Sequence, residues 1–385
     1  MKPTLMTASN AHIVFAGGGT WGHLFPGLAV ARRLAEWLPD ARITFAGTGK
    51  SRERRQAIAA GFPYIALPAS PVPSRASETW RFLSHNVAGY FAAKKFLRDE
   101  PASLVVGLGG FASAAVVQAA IARQVPTVLL EQNALPGRAT RWYASSASLL
   151  CAAFDDVRQH LGPRTPVLVT GNPVRPEFDA IYRRGGETET ERDPQAPRRL
   201  VILGGSNGAS TLNEVVPRTL HMLRLRLRNW TIVHQTGRHG RNKTAERYEK
   251  LQLPAEVVSF VDDMAGLLGE ADLVIGRAGG TTLAELAMAG VPAVLVPYPH
   301  ATGDHQLRNA RAMARHRACR IVDQRNPGSH LDQRLAVALD DLLSNDALRG
   351  RMAGQIRSLA KPHAAEDVAR AVCSLVGIDP RRAAA

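Results

Sequence analysis

Short apolar runs alternate with longer amphipathic stretches along almost the whole chain. Residues 12–16, 42–46, 64–67, 104–107, 127–130 and 167–170 are brief apolar or β-branched segments of strand length. Helical spacing fills the intervals, beginning with residues 24–38. Strands that alternate with helices predict a parallel sheet covered on both faces. Between about residues 176 and 199 the pattern stops, and Gly185, Gly186, Pro194 and Pro197 stand among charges, a linker composition. It resumes with strand-like segments at 200–203, 231–234, 257–260, 273–276 and 293–296. At 385 residues the chain exceeds one ordinary core. The expectation is therefore two doubly wound α/β domains, residues 1–175 and 200–360, joined by a linker at 176–199. Residues 361–385 are expected to form a C-terminal helix and tail packing back toward the N-terminal domain.

Both halves open with a strand that runs into glycines and then a helix, at residues 13–19 and 201–205, which reads as structural duplication. In doubly wound folds ligands bind at the carboxyl ends of the strands, where glycine admits close backbone approach and helix N-termini offer amides. Five glycine-rich turns fall at such places: 17–23, 107–110, 204–208, around Gly237, and 276–282. None reads GxxxxGK[ST], and Trp21 interrupts a GxGxxG reading, which disfavours a phosphotransfer loop or an ordinary dinucleotide fingerprint. No Asp-x-Asp pair follows a strand, so the sequence requires no divalent metal and no cofactor.

Several side chains at these turns carry candidate chemistry. Thr281 and Thr282 bring hydroxyls and helix N-terminal amides toward a diphosphate, with Arg277 as a charge-assisted contact. Glu285, one turn further on, suits a ribose diol, although residues 282–285 equally match a capping box. Asp304 is placed to cap the next helix, leaving His305 and Gln306 in its first turn. His23, where the first turn enters its helix, suits proton transfer, with a structural hydrogen bond as the alternative. Glu131, Gln132 and Asn133 end another strand at the same rim.

Composition narrows the partners. Hydrophobic residues make up 45% and charged residues 21%, as in a packed globular protein. A formal charge of +15 favours phosphorylated ligands, nucleic acid or anionic lipid. Cys151, Cys319 and Cys373 form neither a zinc spacing nor a disulfide framework, which fits a reducing cytoplasm. Residues 1–10 are polar without signal-peptide character, and no run of about 18 apolar residues predicts a membrane span.

Taken in order, residues 17–29 (GGGTWGHLFPGLA), 131–133 (EQN), 171–175 (GNPVR), 204–209 (GGSNGA), 260–264 (FVDDM), 277–285 (RAGGTTLAE) and 304–306 (DHQ) closely resemble the MurG family. That family is the undecaprenyldiphospho-muramoylpentapeptide β-N-acetylglucosaminyltransferases, which make lipid II for peptidoglycan. The resemblance is collinear over nearly the whole chain. It implies a GT-B fold, two Rossmann-like domains facing across a cleft, and metal-independent, inverting transfer of N-acetylglucosamine from UDP-N-acetylglucosamine to the muramoyl-pentapeptide of lipid I. Carried over by position, Ser206, Gly280, Thr281 and Thr282 would meet the diphosphate with Arg277, Val261 the uracil, Glu285 the ribose, and His305 and Gln306 the sugar. Thr20, Trp21, Gly22, His23, Asn133 and Arg175 would line the cleft, with His23 the candidate base. Gly18, Gly19, Gly109, Gly110 and Phe111 fall on the acceptor side. Two departures lie there: Trp21 stands where the family usually has glycine, and residues 109–115 read GGFASAA where Gly-Gly-Tyr-x-Ser-Gly-Pro is usual.

A lipid acceptor implies an anionic membrane surface as partner, at the cytoplasmic face and peripheral, and a cell-wall synthesis complex as context. Trp80, Phe82, Leu83, Phe91 and Phe96 with Arg81, Lys94, Lys95 and Arg98 supply an amphipathic basic stretch. The competing readings are another GT-B glycosyltransferase using a UDP-sugar, a UDP-sugar epimerase of that fold, and a non-catalytic basic nucleic-acid-binding protein. No convincing carboxylate pair supports the epimerase, and no nucleic-acid module supports the last.

Overall fold

The structure, a computed structural model, describes residues 10–71, 77, 79–185, 196–205, 208–326 and 330–379. It divides into two compact units, Met1–Arg175 with His363–Ala385, and Pro176–Pro362.

The first unit is built from β1 (His12–Ala16), α1 (Trp21–Trp37), β2 (Arg42–Gly47), α2 (Ser51–Ala59), β3 (Tyr64–Ala66), α3 (Thr79–Asp99), β4 (Leu104–Gly107), α4 (Phe111–Ala122), β5 (Thr127–Glu131), α5 (Arg138–Tyr143), β6 (Leu149–Ala152) and β7 (Val167–Val169). The second runs α6 (Glu177–Arg184), β8 (Arg198–Leu203), α7 (Ser210–Met222), β9 (Trp230–Gln235), α8 (Arg241–Lys250), β10 (Glu256–Val258), α9 (Met264–Gly269), β11 (Leu273–Gly276), α10 (Gly280–Ala289), β12 (Ala293–Leu295), α11 (His305–Ala314), β13 (Cys319–Ile321), α12 (Leu331–Ser344) and α13 (Asp346–Ser358). α14 (Ala364–Leu375) returns to the first unit, where Val368, Ala369, Val372 and Cys373 join the core beneath α1.

Both sheets are parallel, with strand orders β3-β2-β1-β4-β5-β6-β7 and β10-β9-β8-β11-β12-β13. Strands covered on both faces are largely apolar, and β1, β4, β5 and β11 are buried at every position, with His12, Thr127 and Glu131 as polar members at their ends. The chain order reverses beside β1 and again beside β8, and ligands in this fold bind at that switch point. The loops after β1 and β4, and after β8 and β11, are four of the five glycine turns.

The sequence pattern missed β6 and β13. Leu149–Ala152 is apolar without alternation, and Cys319–Ile321 is only 3 residues long, so neither has a period to detect. The strand expected at 257–260 is shifted to Glu256–Val258, leaving Phe260 exposed. The stretch expected as a linker, residues 176–199, begins with a helix and ends in the start of β8. Glu177–Arg184 is a helix, with Glu177 and Asp179 in its first turn and Arg183 and Arg184 in its last, the polarity a helix dipole favours. Its Phe178 is fully buried and Ile181 packs on Gly269. Residues 186–195 lie outside the described residues.

Candidate active site

In the first unit the loop Gly17-Gly18-Gly19 runs from β1 into α1 with φ of 137°, 141° and 85°, conformations that only glycine adopts without strain. Thr20 is the N-cap residue of α1, and its Oγ1 lies 2.8 Å from His23 Nδ1. The imidazole rests over the second glycine turn: a Cβ at Gly109 would stand 3.0 Å from His23 Cδ2 and 3.4 Å from Nε2. When Nδ1–H donates to Thr20, Nε2 is the acceptor, as a base requires. Phe111 begins α4, 3.6 Å from where a Gly19 Cβ would be, with Lys50 Nζ 5.7 Å from the ring centre.

Trp21 does not close this loop. Its ring stacks on Phe25 at 5.1 Å and packs against the core, while Arg175 lies 5.0 Å over the other aromatic, Phe25. The tryptophan that replaces the family's usual glycine thus extends an aromatic shelf rather than occupying the turn.

Glu131, Gln132 and Asn133 divide their work. The buried Glu131 carboxylate accepts from Asn133 N and Nδ2 at 3.1 Å, from Gly137 N at 2.8 Å and from Thr140 Oγ1 at 2.7 Å. Gln132, also buried, donates through Nε2 to Leu108 O at 3.2 Å, bracing the turn beneath His23. Asn133, half-buried, is the member whose amide orientation this arrangement fixes.

In the second unit α10 starts at Gly280 with Gly279 as N-cap residue and no side-chain cap. The capping-box reading therefore fails: Thr282 is already inside the helix, so Glu285 cannot bond a cap there. Glu285 is instead buried, and Thr281 and Thr282 are half-buried in the first turn. Arg277 also departs from expectation. Its Nη1 donates to Val296 O at 2.8 Å, Pro297 O at 3.2 Å and Gln324 Oε1 at 2.8 Å, with the guanidinium 5.5 Å over Tyr298. Burial lowers its pKa, and its first task is to hold the loop after β12.

Asp304 occupies the N-cap position of α11 but makes no side-chain cap. Its backbone is left-handed, at φ 58°, and its carboxylate accepts from Arg325 Nη1 at 2.7 Å. His305 Nδ1 is 2.9 Å from Thr302 O, and Gln306 Oε1 accepts from Tyr298 N at 2.9 Å, so both residues sit on a braced turn. Val261 is half-buried ahead of Asp263, which caps α9 through Gly266 N at 2.8 Å. Ser206 lies outside the described residues.

Residues that sequence reading did not single out support these loops. Asn309 Nδ2 donates to Ala278 O at 3.0 Å, and Gln235 Nε2 donates to Gly205 O and Ser259 O at 3.1 and 3.2 Å. Beneath the turn at Gly208, Tyr248 Oη is 2.9 Å from His234 Nδ1, His234 Nε2 is 3.1 Å from Asn213 Oδ1, and Asn213 Nδ2 donates to Thr236 O at 3.0 Å. Burial pushes the His234 pKa down to about 3. His234 and Gln235 end a largely apolar strand, a signal sequence could have offered, whereas Asn213, Tyr248 and Asn309 lie in polar or mixed helices and left no such mark.

On α3, Trp80, Leu83, Val87 and Phe91 are exposed at spacings of three and four residues, on the side opposite buried Gly89, Ala93, Phe96 and Leu97. Arg81, Lys94 and Lys95 are exposed beside them and Phe82 is half-buried. Phe96 therefore belongs to the core and not to the patch. Among the described residues no helix is long and apolar enough to cross a membrane.

Two parallel-sheet units, each with glycine loops at its switch point, have the architecture of the GT-B fold. Residues 13–149 match the glycosyltransferase family 28 N-terminal domain and residues 199–368 its C-terminal domain. The chain is 36% identical over 369 residues, 95% of this chain and 99% of the relative, to the UDP-N-acetylglucosamine--N-acetylmuramyl-(pentapeptide) pyrophosphoryl-undecaprenol N-acetylglucosamine transferase of Syntrophotalea carbinolica. It is 38% identical over 365 residues, 93% of this chain and 96% of the relative, to the protein of that name from Pseudomonas paraeruginosa. The crystal structure of Acinetobacter baumannii MurG is similar with a TM-score of 0.74 and 28% identity, covering 94% of this chain and 99% of that one. The chain belongs to the MurG family.

Proposed function

We propose that this protein transfers N-acetylglucosamine from UDP-N-acetylglucosamine to the 4-hydroxyl of the muramoyl-pentapeptide sugar of lipid I, giving lipid II. The observation that carries this reading is the likeness, over nearly the full length of both chains, to transferases named for that donor and acceptor. The acceptor oxygen attacks C1 of the donor sugar, the C1–O bond to UDP breaks with inversion, and the hydroxyl proton passes to His23 Nε2. UDP departs as the diphosphate anion.

The second unit takes the donor. Gly280, Thr281 and Thr282 at the α10 N-terminus stabilise the diphosphate, Glu285 the ribose, the backbone at Val261 the uracil, and His305 and Gln306 the sugar. Ser206 adds to the diphosphate contacts, and Arg277 acts by fixing the loop above it. The first unit takes the acceptor, with Gly18, Gly19, Gly109, Gly110 and Phe111 near its diphosphate side and Asn133 and Arg175 beside the reacting sugars. The exposed stripe on α3 with Arg81, Lys94 and Lys95 docks on anionic lipid at the cytoplasmic face, each cation adding about 1 kcal/mol.

The test is transfer of radiolabelled N-acetylglucosamine from its UDP donor to a lipid I analogue, analysed by product mass. Formation of the disaccharide lipid is the expected result. Binding of the donor without transfer, or transfer only to an unrelated acceptor, would overturn the assignment.

A further inference from the structure

Glu53, in the first turn of α2, is an acidic residue where a helix N-terminus would accept it at the surface, yet it is 5% exposed. It turns inward to join two loops. Oε1 accepts from Gly19 N at 2.6 Å; Oε2 accepts from Thr48 Oγ1 and from Tyr64 Oη, both at 3.2 Å. Gly49 N in turn donates to Tyr64 Oη at 3.1 Å. One carboxylate thus ties the glycine loop after β1 to the loop after β2.

The surrounding backbone is shaped for it. A Cβ at Gly18 would lie 2.8 Å from Glu53 Oε2, and one at Gly47 would lie 2.5 Å from Tyr64 Oη and 3.2 Å from Glu53 Oε2. The tied residue, Gly19, directly precedes Thr20, whose hydroxyl pairs with His23. Left-handed glycines have no conformational preference of their own to hold that loop, so an external clamp must. Burial raises the Tyr64 pKa, which keeps the phenol a donor. A glutamine could accept on one side only; on the other its amide would force the Thr48 and Tyr64 hydroxyls to reverse.

We propose that Glu53 is the positioning residue of the first glycine loop and, through Thr20, of His23. The inference rests on the transfer reaction proposed above. Steady-state transfer by the full chain is measured for Glu53→Gln and Tyr64→Phe, with pH profiles and with hydrogen exchange of the peptide covering residues 15–24. For Glu53→Gln the expected result is a loss of about tenfold or more in kcat/KM for the lipid I analogue, with the KM for UDP-N-acetylglucosamine within about twofold of the parent. The pH limb set by His23 moves, and the Gly19 amide exchanges faster. Tyr64→Phe shows the same changes, smaller, and carries the test if Glu53→Gln does not fold. Unchanged kinetic constants, pH limb and exchange, or a loss explained wholly by a smaller folded fraction, would overturn the proposal. If the parent itself fails to transfer, the functional reading fails separately, and exchange at Gly19 still decides whether Glu53 clamps the loop.

Discussion

The two units share a topology but differ in the balance of chemistry that braces their loops, although Gln132 in the first also donates to a loop carbonyl and Gln306 in the second also accepts from a loop amide. In the first, buried carboxylates accept from loop amides: Glu53 from Gly19 N, and Glu131 from Asn133 N and Gly137 N. In the second, side-chain amides and a guanidinium donate to loop carbonyls: Gln235 to Gly205 O, Asn213 to Thr236 O, Asn309 to Ala278 O, and Arg277 to Val296 O. Carboxylates consume N–H groups, whereas amide donors consume carbonyls and leave the N–H side of a loop to a ligand. The difference suits a nucleotide diphosphate on the second unit and a proton-accepting histidine on the first.

The largest expected effect comes from removing His23. His23→Ala should lower kcat by about 10²- to 10⁴-fold, the usual worth of a general base, without weakening donor binding in a titration calorimeter. Loss of donor affinity instead would move His23 to the other side of the comparison.

Gly18→Ala attacks the carboxylate-braced loop directly. Its φ of 141° and the 2.8 Å approach to Glu53 should cost about 1–3 kcal/mol, read as a lower denaturation midpoint together with lost transfer. Arg277→Lys keeps the charge but removes the planar guanidinium whose Nη1 reaches two carbonyls and Gln324 Oε1 and whose face lies over Tyr298. A loss of about 1–3 kcal/mol in stability with weaker donor binding is expected; an unchanged protein would remove Arg277 from the bracing scheme.

A pH dependence is also expected, to which the second unit contributes through His234. His234 is held neutral, with its folded pKa depressed to about 3. Its contribution is therefore complete above the unfolded value of about 6.5 and falls as pH drops from there toward 3, by about 1.4 kcal/mol per unit. Thermal melts from pH 7.5 to 5 should show this decline, and His234→Gln should reduce it, leaving the part due to His12, whose pKa burial also lowers.

Most of the strands, the switch-point glycines and the family series were legible because each leaves a local mark: an apolar run, a residue without Cβ, an uninterrupted word of sequence. The braces were not. Glu53 reads as one more charge on a polar helix, and its role depends on Gly19, Thr48 and Tyr64 meeting it from three other segments. Residues 282–285 spelled a capping box, but α10 begins at Gly280, so an intact local signal lost to the helix start set by Gly279. Arg277 looked like a free cation for a phosphate until the loop after β12 supplied its carbonyls.

The division of labour between the units is tested most directly by measuring donor affinity and transfer rate together in His23→Ala and Glu285→Ala. The account predicts that His23→Ala binds UDP-N-acetylglucosamine as the parent does but does not transfer it, whereas Glu285→Ala loses donor affinity. The reverse pattern, or parallel loss of both properties in both variants, would contradict it.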